Sequence, residues 1–312
     1  MNYDVDIKST VNLKSVITVS LLSIAYLLLS CWVVGYKSDQ VVLIIIFNTL
    51  FYLSSITRKF ILGFSVFIVY WIIFDYMKAI PNYTFNRVHI ADIYHLEKKL
   101  FGIRFNGNII TPNEYWRANG TTTLDIIGGI FYLCWIPVPL TFAAFLFFKN
   151  RKDFLSFALT FFLVNLLGFV IYYLFPTAPP WYVYEHGFVF NASTPGNTGG
   201  LAKFDAYFNI SIFKSIYAKG SNVFAAMPSL HSAYPIIVMY YGLKNRLGRI
   251  NIALAIVMVG IWLTAIYTSH HYILDVMAGI LCAIIGISIF NVLFNKVSFL
   301  NRLLTNYSAY IQ

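Results

Sequence analysis

Two histidines and one aspartate in the second half of the chain have the types and spacing for nucleophilic or acid–base chemistry. His231 stands in Met227-Pro-Ser-Leu-His-Ser-Ala-Tyr234, and His271 stands in Thr268-Ser-His-His-Tyr-Ile-Leu-Asp275. Residues four apart share one face of a helix. Asp275 can therefore accept a hydrogen bond from one ring nitrogen of His271 and leave the other as a lone-pair base or nucleophile. A carboxylate near the bilayer interior costs on the order of 2.5 to 3.5 kcal/mol at a helix centre, and pairing with a histidine offsets part of that. A histidine at an interfacial helix end is commonly no more than a hydrogen-bonded terminus, and an HxxxD pattern alone is weak. The conjunction of two such motifs points to catalysis. Pro-Ser-Leu-His and His-His-Tyr-x-x-Asp each open an apolar helix, on the same expected side, one helical hairpin apart.

The elements that must position these residues are membrane helices. The 312 residues are 59% hydrophobic and 11% charged, with a mean hydropathy of +0.71, far from the roughly one-quarter charged content of soluble domains. Apolar runs that reach or approach the ~20 residues needed to cross a hydrocarbon core extend over Val16–Val34, Val41–Ile56, Phe60–Ala79, Leu124–Phe148, Phe154–Phe175, Ser229–Leu243, Ile250–Thr268 and Tyr272–Phe294. The runs are continuous rather than alternating, so backbone hydrogen bonds close within helices rather than in a barrel. The expected class is an all-α membrane protein of about eight transmembrane helices, the second and sixth being short. The first run lacks a small-residue cleavage site after Val34 and reads as a retained helix rather than a signal peptide. Cys31, Cys134 and Cys282 lie in apolar runs with no disulfide or zinc spacing.

Charge placement suggests a topology. With the amino terminus cytoplasmic, the inner set holds Lys8, Lys14, Arg58, Lys59, Lys149, Arg151, Lys152, Lys244, Arg246, Arg249, Lys296 and Arg302, whereas the short outer connections hold only Lys37. Cytoplasmic connections carry the excess of Lys and Arg, so two long connections, 80–123 and 176–227, are expected to face outward with the histidines. The first contains an amphipathic stretch, Ala91–Phe101, and the second is rich in Gly, Asn, Ser and Pro. The net charge of +10 is distributed as topology signals and headgroup contacts rather than as a nucleic-acid surface. Neither ligand spacing nor a binding motif calls for a metal or cofactor, and the spacing carries no information about oligomeric state.

The two histidine motifs resemble the second and third signature motifs of the type 2 phosphatidic acid phosphatase superfamily, and their wording is most similar to the inositol phosphorylceramide synthase branch. Phe175-Pro-Thr-Ala-Pro-Pro-Trp-Tyr182 also resembles that branch, and Phe74-Asp-Tyr-Met-Lys78 resembles an Asp-bearing helix end among its bacterial relatives. The resemblance covers roughly residues 60–295. It implies a six-helix catalytic core over 60–312, preceded by a separate helical pair in 1–59. It departs from the superfamily's phosphatases in two places. The Arg six residues before the nucleophilic His is here Ala265, and no Arg-Pro pair occurs in the chain. The usual phosphate clamp is thus absent, which is in keeping with a synthase and leaves Lys78, Arg87, Lys203, Lys214 and Lys219 as candidate cations.

The resemblance implies transfer of phosphoinositol from phosphatidylinositol to ceramide in two steps, with these membrane lipids as partners and no nucleic acid. His271 would attack phosphorus, Asp275 would hold its ring, and His231 would protonate the departing diacylglycerol oxygen and then deprotonate ceramide. Asp75, Lys78, Trp181, Tyr182, Ser229 and His270 are the expected substrate-binding residues. Aromatic residues are enriched at membrane interfaces anyway, and His270 points about 100° away from His271 on a helix. Two alternatives stay open: a lipid phosphatase using water as acceptor, and a proton-coupled transporter using the same Asp and His as a relay. The expected location is a bacterial plasma membrane with the site on its outer face, or the luminal face of a Golgi-type membrane in a eukaryote.

Overall fold

The computed structural model describes residues 12–219 and 222–312; Lys8 of the inner set lies outside them. Among the described residues fifteen α-helices follow in order: α1 Leu13–Val34, α2 Ser38–Leu53, α3 Ser55–Tyr76, α4 Ala91–Phe101, α5 Pro112–Asn119, α6 Thr122–Leu133, α7 Pro137–Lys149, α8 Arg151–Leu174, α9 Pro180–His186, α10 Ala202–Phe208, α11 Ile212–Ala218, α12 Leu230–Lys244, α13 Ile250–Tyr267, α14 Ile273–Lys296 and α15 Ser298–Tyr310. Among the described residues, six helical segments are long and apolar enough to cross a membrane: α1, α3 with its 3-10 extension to Ala79, the tandem α6–α7, α8, α13 and α14. The shorter α2 and α12 complete the set of eight apolar runs. The protein is an all-helical integral membrane protein.

Why α12 suffices at 15 residues follows from its surroundings. It is walled by α8, α13 and α14, and Leu230, Ala233, Tyr234, Ile237, Val238 and Tyr241 are all buried, so protein rather than lipid solvates most of its surface. Phe142, Phe147, Phe154, Phe157 and Phe161 interlock with Tyr234 and Tyr241 in the same core. By contrast α1 presents Leu21, Leu28 and Trp32 outward, as a helix bathed in lipid does. Val19 and Phe51 of α1 and α2 pack on Ile61 of α3 in a small cluster of their own.

Three features differ from the sequence expectation. The run expected to be continuous from Leu124 to Phe148 breaks at Cys134–Ile136, because Pro137 and Pro139 offer no backbone N–H to the preceding turn. The first long connection contains a two-stranded antiparallel hairpin, β1 Ile103–Phe105 and β2 Asn108–Ile110, closed by Asn106 and Gly107, both at positive φ; Asn-Gly tolerates that backbone where most residues do not. The chain ends in an amphipathic helix, α15, fastened where Tyr307 donates to the Leu62 carbonyl (2.9 Å) and Arg151 to the Ile311 carbonyl (3.2 Å).

The basic connections gather at one end of the bundle, where Lys244 pairs with Asp153 at 3.1 Å and Lys149 donates to the Asn245 carbonyl. The starts of α12 and α14 and the end of α13 lie at the other. Over that second end fold the two long connections, with Leu201, Phe204 and Phe213 packing on Tyr132, Ala265 and Val276.

Candidate active site

The site is built where α12 and α14 begin side by side. The Ser229 N–H donates to the Asp275 carbonyl at 2.9 Å, tying one helix start to the other. Gly279 permits the approach: a Cβ there would stand 2.1 Å from the Ser229 carbonyl oxygen. His231 occupies the first turn of α12, two residues beyond Ser229.

His271 lies in the tight turn joining α13 to α14. Ser269 adopts φ 61°, reversing the chain so that the N–H groups of both His270 and His271 donate to the Ala265 carbonyl (3.1 and 3.0 Å). Asn113, on α5 of the first long connection, clamps the same turn by donating its amide to the carbonyls of Ile266 (2.8 Å) and His271 (2.9 Å). The Trp181 N–H donates to Ser269 O at 3.0 Å from the second long connection.

The result is a line of three groups, His271 and Asp275 buried and His231 half-buried at its front. His231 Nδ1 stands 3.0 Å from His271 Nε2, and His271 Nδ1 stands 3.7 Å from Asp275 Oδ2. That last separation is longer than a formed hydrogen bond. Asp275 Oδ2 also accepts the Tyr272 N–H at 2.8 Å, which fixes the carboxylate on its own helix start. Asp275 is fully buried and both His270 and His271 are 5% exposed. Burial pushes the His271 pKa down to about 4, so its ring is neutral at ordinary pH and keeps a lone pair. Tyr132 brings its hydroxyl to 3.4 Å from His231 Nδ1, and the Trp135 ring meets His231 edge-on at 4.4 Å. The arrangement holds a neutral imidazole with a carboxylate behind one nitrogen and a second imidazole in front of the other. It is suited to nucleophilic attack followed by proton transfer.

The remaining expected residues divide. His270 turns from the line, its Nδ1 paired with Thr268 Oγ1 at 2.9 Å and its ring against Tyr217 and Tyr132. Ser229 is buried and acts through its backbone and through a bond from Ser232. Tyr182 is fully buried, its hydroxyl donating to Val189 O and accepting from Asn191 N–H (2.7 Å each). That occupies the group expected to meet a headgroup and makes Tyr182 a fastener of the second connection. Trp181 is buried beside it. Asp75 accepts from Lys78 (2.9 Å) and Lys37 (3.4 Å) at the end of α3. Lys78 also lines a cavity of about 220 Å³ with Tyr83, Thr194 and Phe224. Of the other candidate cations, Lys203 faces Asp125 and Lys219 pairs with Asp39.

Sequence reasoning passed over Asn113, Tyr132 and Glu97. The first two reach the site from well over a hundred and from ninety-nine residues away respectively, and nothing local marks them. Glu97 had a local signal: it lies four residues after Ile93 on the buried face of α4, where an acid is out of place on an apolar stripe.

A profile of the PAP2 superfamily matches residues 109–289, the span containing both histidine motifs. A phosphoinositol dihydroceramide synthase of Bacteroides thetaiotaomicron is 42% identical over 301 residues, covering 96% of this chain and 99% of that protein. An inositol phosphorylceramide synthase of Candida albicans is 28% identical over 263 residues, 83% of this chain, and the chain spans about half (53%) of that fungal protein. The catalytic subunit of the Saccharomyces cerevisiae inositol phosphorylceramide synthase is 33% identical over 119 residues, 37% of this chain and 29% of that one. No solved structure matches the chain. With more than half of its length in the profile and an end-to-end bacterial relative, the chain belongs to the PAP2 superfamily.

Proposed function

We propose that the protein is a sphingolipid phosphoinositol transferase that moves phosphoinositol from phosphatidylinositol to the primary hydroxyl of a ceramide or dihydroceramide. The observation that carries the reading is the 3.0 Å approach of His231 Nδ1 to His271 Nε2 with Asp275 behind His271. The names of the relatives supply the substrate class.

In the first step the 3.0 Å contact between the rings opens and His271 Nε2 attacks the donor phosphorus. The phosphorus–oxygen bond to diacylglycerol breaks, and His231, entering the step protonated, delivers a proton to that oxygen. Asp275 stabilises the positive charge that develops on His271. In the second step His231, now neutral, takes the proton of the acceptor hydroxyl as its oxygen attacks the phosphohistidine, and His271 is released. Each proton transfer of this kind contributes ~10²- to 10⁴-fold in rate. Burial of His271 and Asp275 supports the choice of a lipid hydroxyl over water as acceptor, because limiting solvent around the nucleophile protects a hydrolysable intermediate. Lys78, held by Asp75 at the rim of its cavity, is the proposed headgroup contact. The outer face of a bacterial plasma membrane is the proposed location of the site, as the Lys and Arg distribution indicates.

The test is mass spectrometry of lipids after incubating the purified protein in liposomes with phosphatidylinositol and ceramide, beside a His271→Ala control. Inositol phosphorylceramide and diacylglycerol from the wild type alone is the expected result. Inositol phosphate without the new sphingolipid would replace the transferase with a hydrolase.

A further inference from the structure

The first turn of α14 is held by a carboxylate from outside the superfamily motifs. Glu97, on α4 in the first long connection, is fully buried. Its Oε1 accepts the Ile273 N–H at 3.0 Å and its Oε2 accepts the Leu274 N–H at 3.2 Å. With Tyr272 N–H on Asp275 Oδ2, three successive backbone donors at this helix start end on two carboxylates, one of them 176 residues away in sequence.

These donors have no partner inside the helix, and ionised acceptors satisfy them more strongly than neutral ones. They also flank the reacting groups. Residues 273 and 274 lie between His271 and Asp275, so the position of the turn decides where the carboxylate stands relative to the imidazole. The 3.7 Å gap between His271 Nδ1 and Asp275 Oδ2 has little margin, since a displacement of about 1 Å in a catalytic constellation can cost ~10²-fold.

We infer that Glu97 is a positioning residue of the reaction: its two-pronged grip on Ile273 and Leu274 sets the register of the His271–Asp275 pair, and so couples the first long connection to catalysis. The charged group acting on it is Asp275, beside Tyr272, which in turn faces the Tyr94–Glu114 pair. Among the described residues no cation pairs with Glu97, so its negative charge is met by the helix start. Burial and the nearby Asp275 push the Glu97 pKa up to about 7, against the two N–H bonds, which pull it down.

The role in turnover rests on the transferase reading, whereas the grip on the helix does not, and the experiment separates them. Glu97→Gln keeps the shape but puts an amide N–H against one of the two backbone donors. Amide hydrogen exchange on the full-length protein in detergent is expected to quicken at residues 272–275 by tenfold or more, with α8 and α12 unchanged. In the liposome transfer assay the same variant is expected to lose ~10- to 100-fold in kcat with KM altered less than threefold, and to lose an acid limb near pH 7 that the wild type displays. Glu97→Asp, one methylene shorter, should fall between the two.

Unchanged exchange at 272–275, or quickened exchange throughout the protein, would overturn the inference. So would quickened local exchange with wild-type kcat and an unaltered pH profile. If the wild-type protein turns over neither lipid, the transferase reading fails while the exchange result still decides whether Glu97 holds the turn.

Discussion

Replacing Asp275 by Asn isolates the electrostatic part of the mechanism. The amide is nearly isosteric with the carboxylate, and its oxygen can keep the 2.8 Å bond from the Tyr272 N–H, so the helix start survives. What is lost is a negative charge 3.7 Å from His271 Nδ1. When His271 bonds to phosphorus its ring becomes cationic. At an effective dielectric constant of about 20, opposite unit charges at that distance attract by roughly 4 kcal/mol. Because the neutral ring of the resting state gains little of this, nearly all of it is lost from the barrier, corresponding to roughly 10³-fold in kcat. The assay is single-turnover transfer of labelled phosphoinositol in liposomes, with KM for phosphatidylinositol measured in parallel. The expected outcome is a kcat reduced 10²- to 10³-fold with KM within threefold of wild type. A D275N protein turning over within fivefold of wild type would refute the assignment of Asp275 to charge stabilisation.

Three further outcomes are expected. Gly279→Ala sets a Cβ 2.1 Å from the Ser229 carbonyl oxygen; backbone cannot yield as a side-chain tip can, so the starts of α12 and α14 are forced apart, at a cost of about 1–3 kcal/mol, read as a lower melting temperature together with a loss of transfer activity. Asn113→Ala strips two hydrogen bonds from the carbonyls of Ile266 and His271 at about 1 kcal/mol each, and kcat should drop about tenfold while helical circular dichroism stays unchanged; full activity would count against the clamp. Glu97 also contributes a pH dependence of stability. Its folded pKa of about 7 lies above the reference value of 4.5, so between those values the folded chain holds a proton that the unfolded chain has released. Stability from this group is therefore greatest below about pH 4.5 and declines as pH rises to about 7. Thermal unfolding across that window should show a steeper decline in wild type than in Glu97→Gln, and parallel curves would contradict the assigned shift.

How much was legible depended on whether the relevant physics is local. Hydropathy alone placed the membrane segments, because every backbone group in hydrocarbon must pair within its own helix and a crossing therefore needs one long apolar run. The closeness of His271 and Asp275 was legible because only four residues separate them, but the shared helical face was not: His271 sits in the turn before α14, and the pair stands 3.7 Å apart without a formed hydrogen bond. The break at Cys134–Ile136 was written in Pro137 and Pro139, but hydropathy averages over prolines. The terminal helix α15 was missed because its apolar positions are few, and it is held by tertiary bonds from Tyr307 and Arg151.

The sequence by itself determined the membrane class, the helical segments and the identity of three groups able to do chemistry, each through an interaction spanning a few residues. Only the tertiary structure decided that His231 and His271 meet at 3.0 Å, since forty residues and two helices intervene and only the packed bundle sets that distance. It alone decided which way His270 turns, and that the Tyr182 hydroxyl bonds the Val189 carbonyl and the Asn191 N–H. It also brought Asn113 and Glu97 onto the turn around His271. A buried backbone donor or acceptor must find a partner, and it takes whichever polar side chain the fold delivers, regardless of separation along the chain.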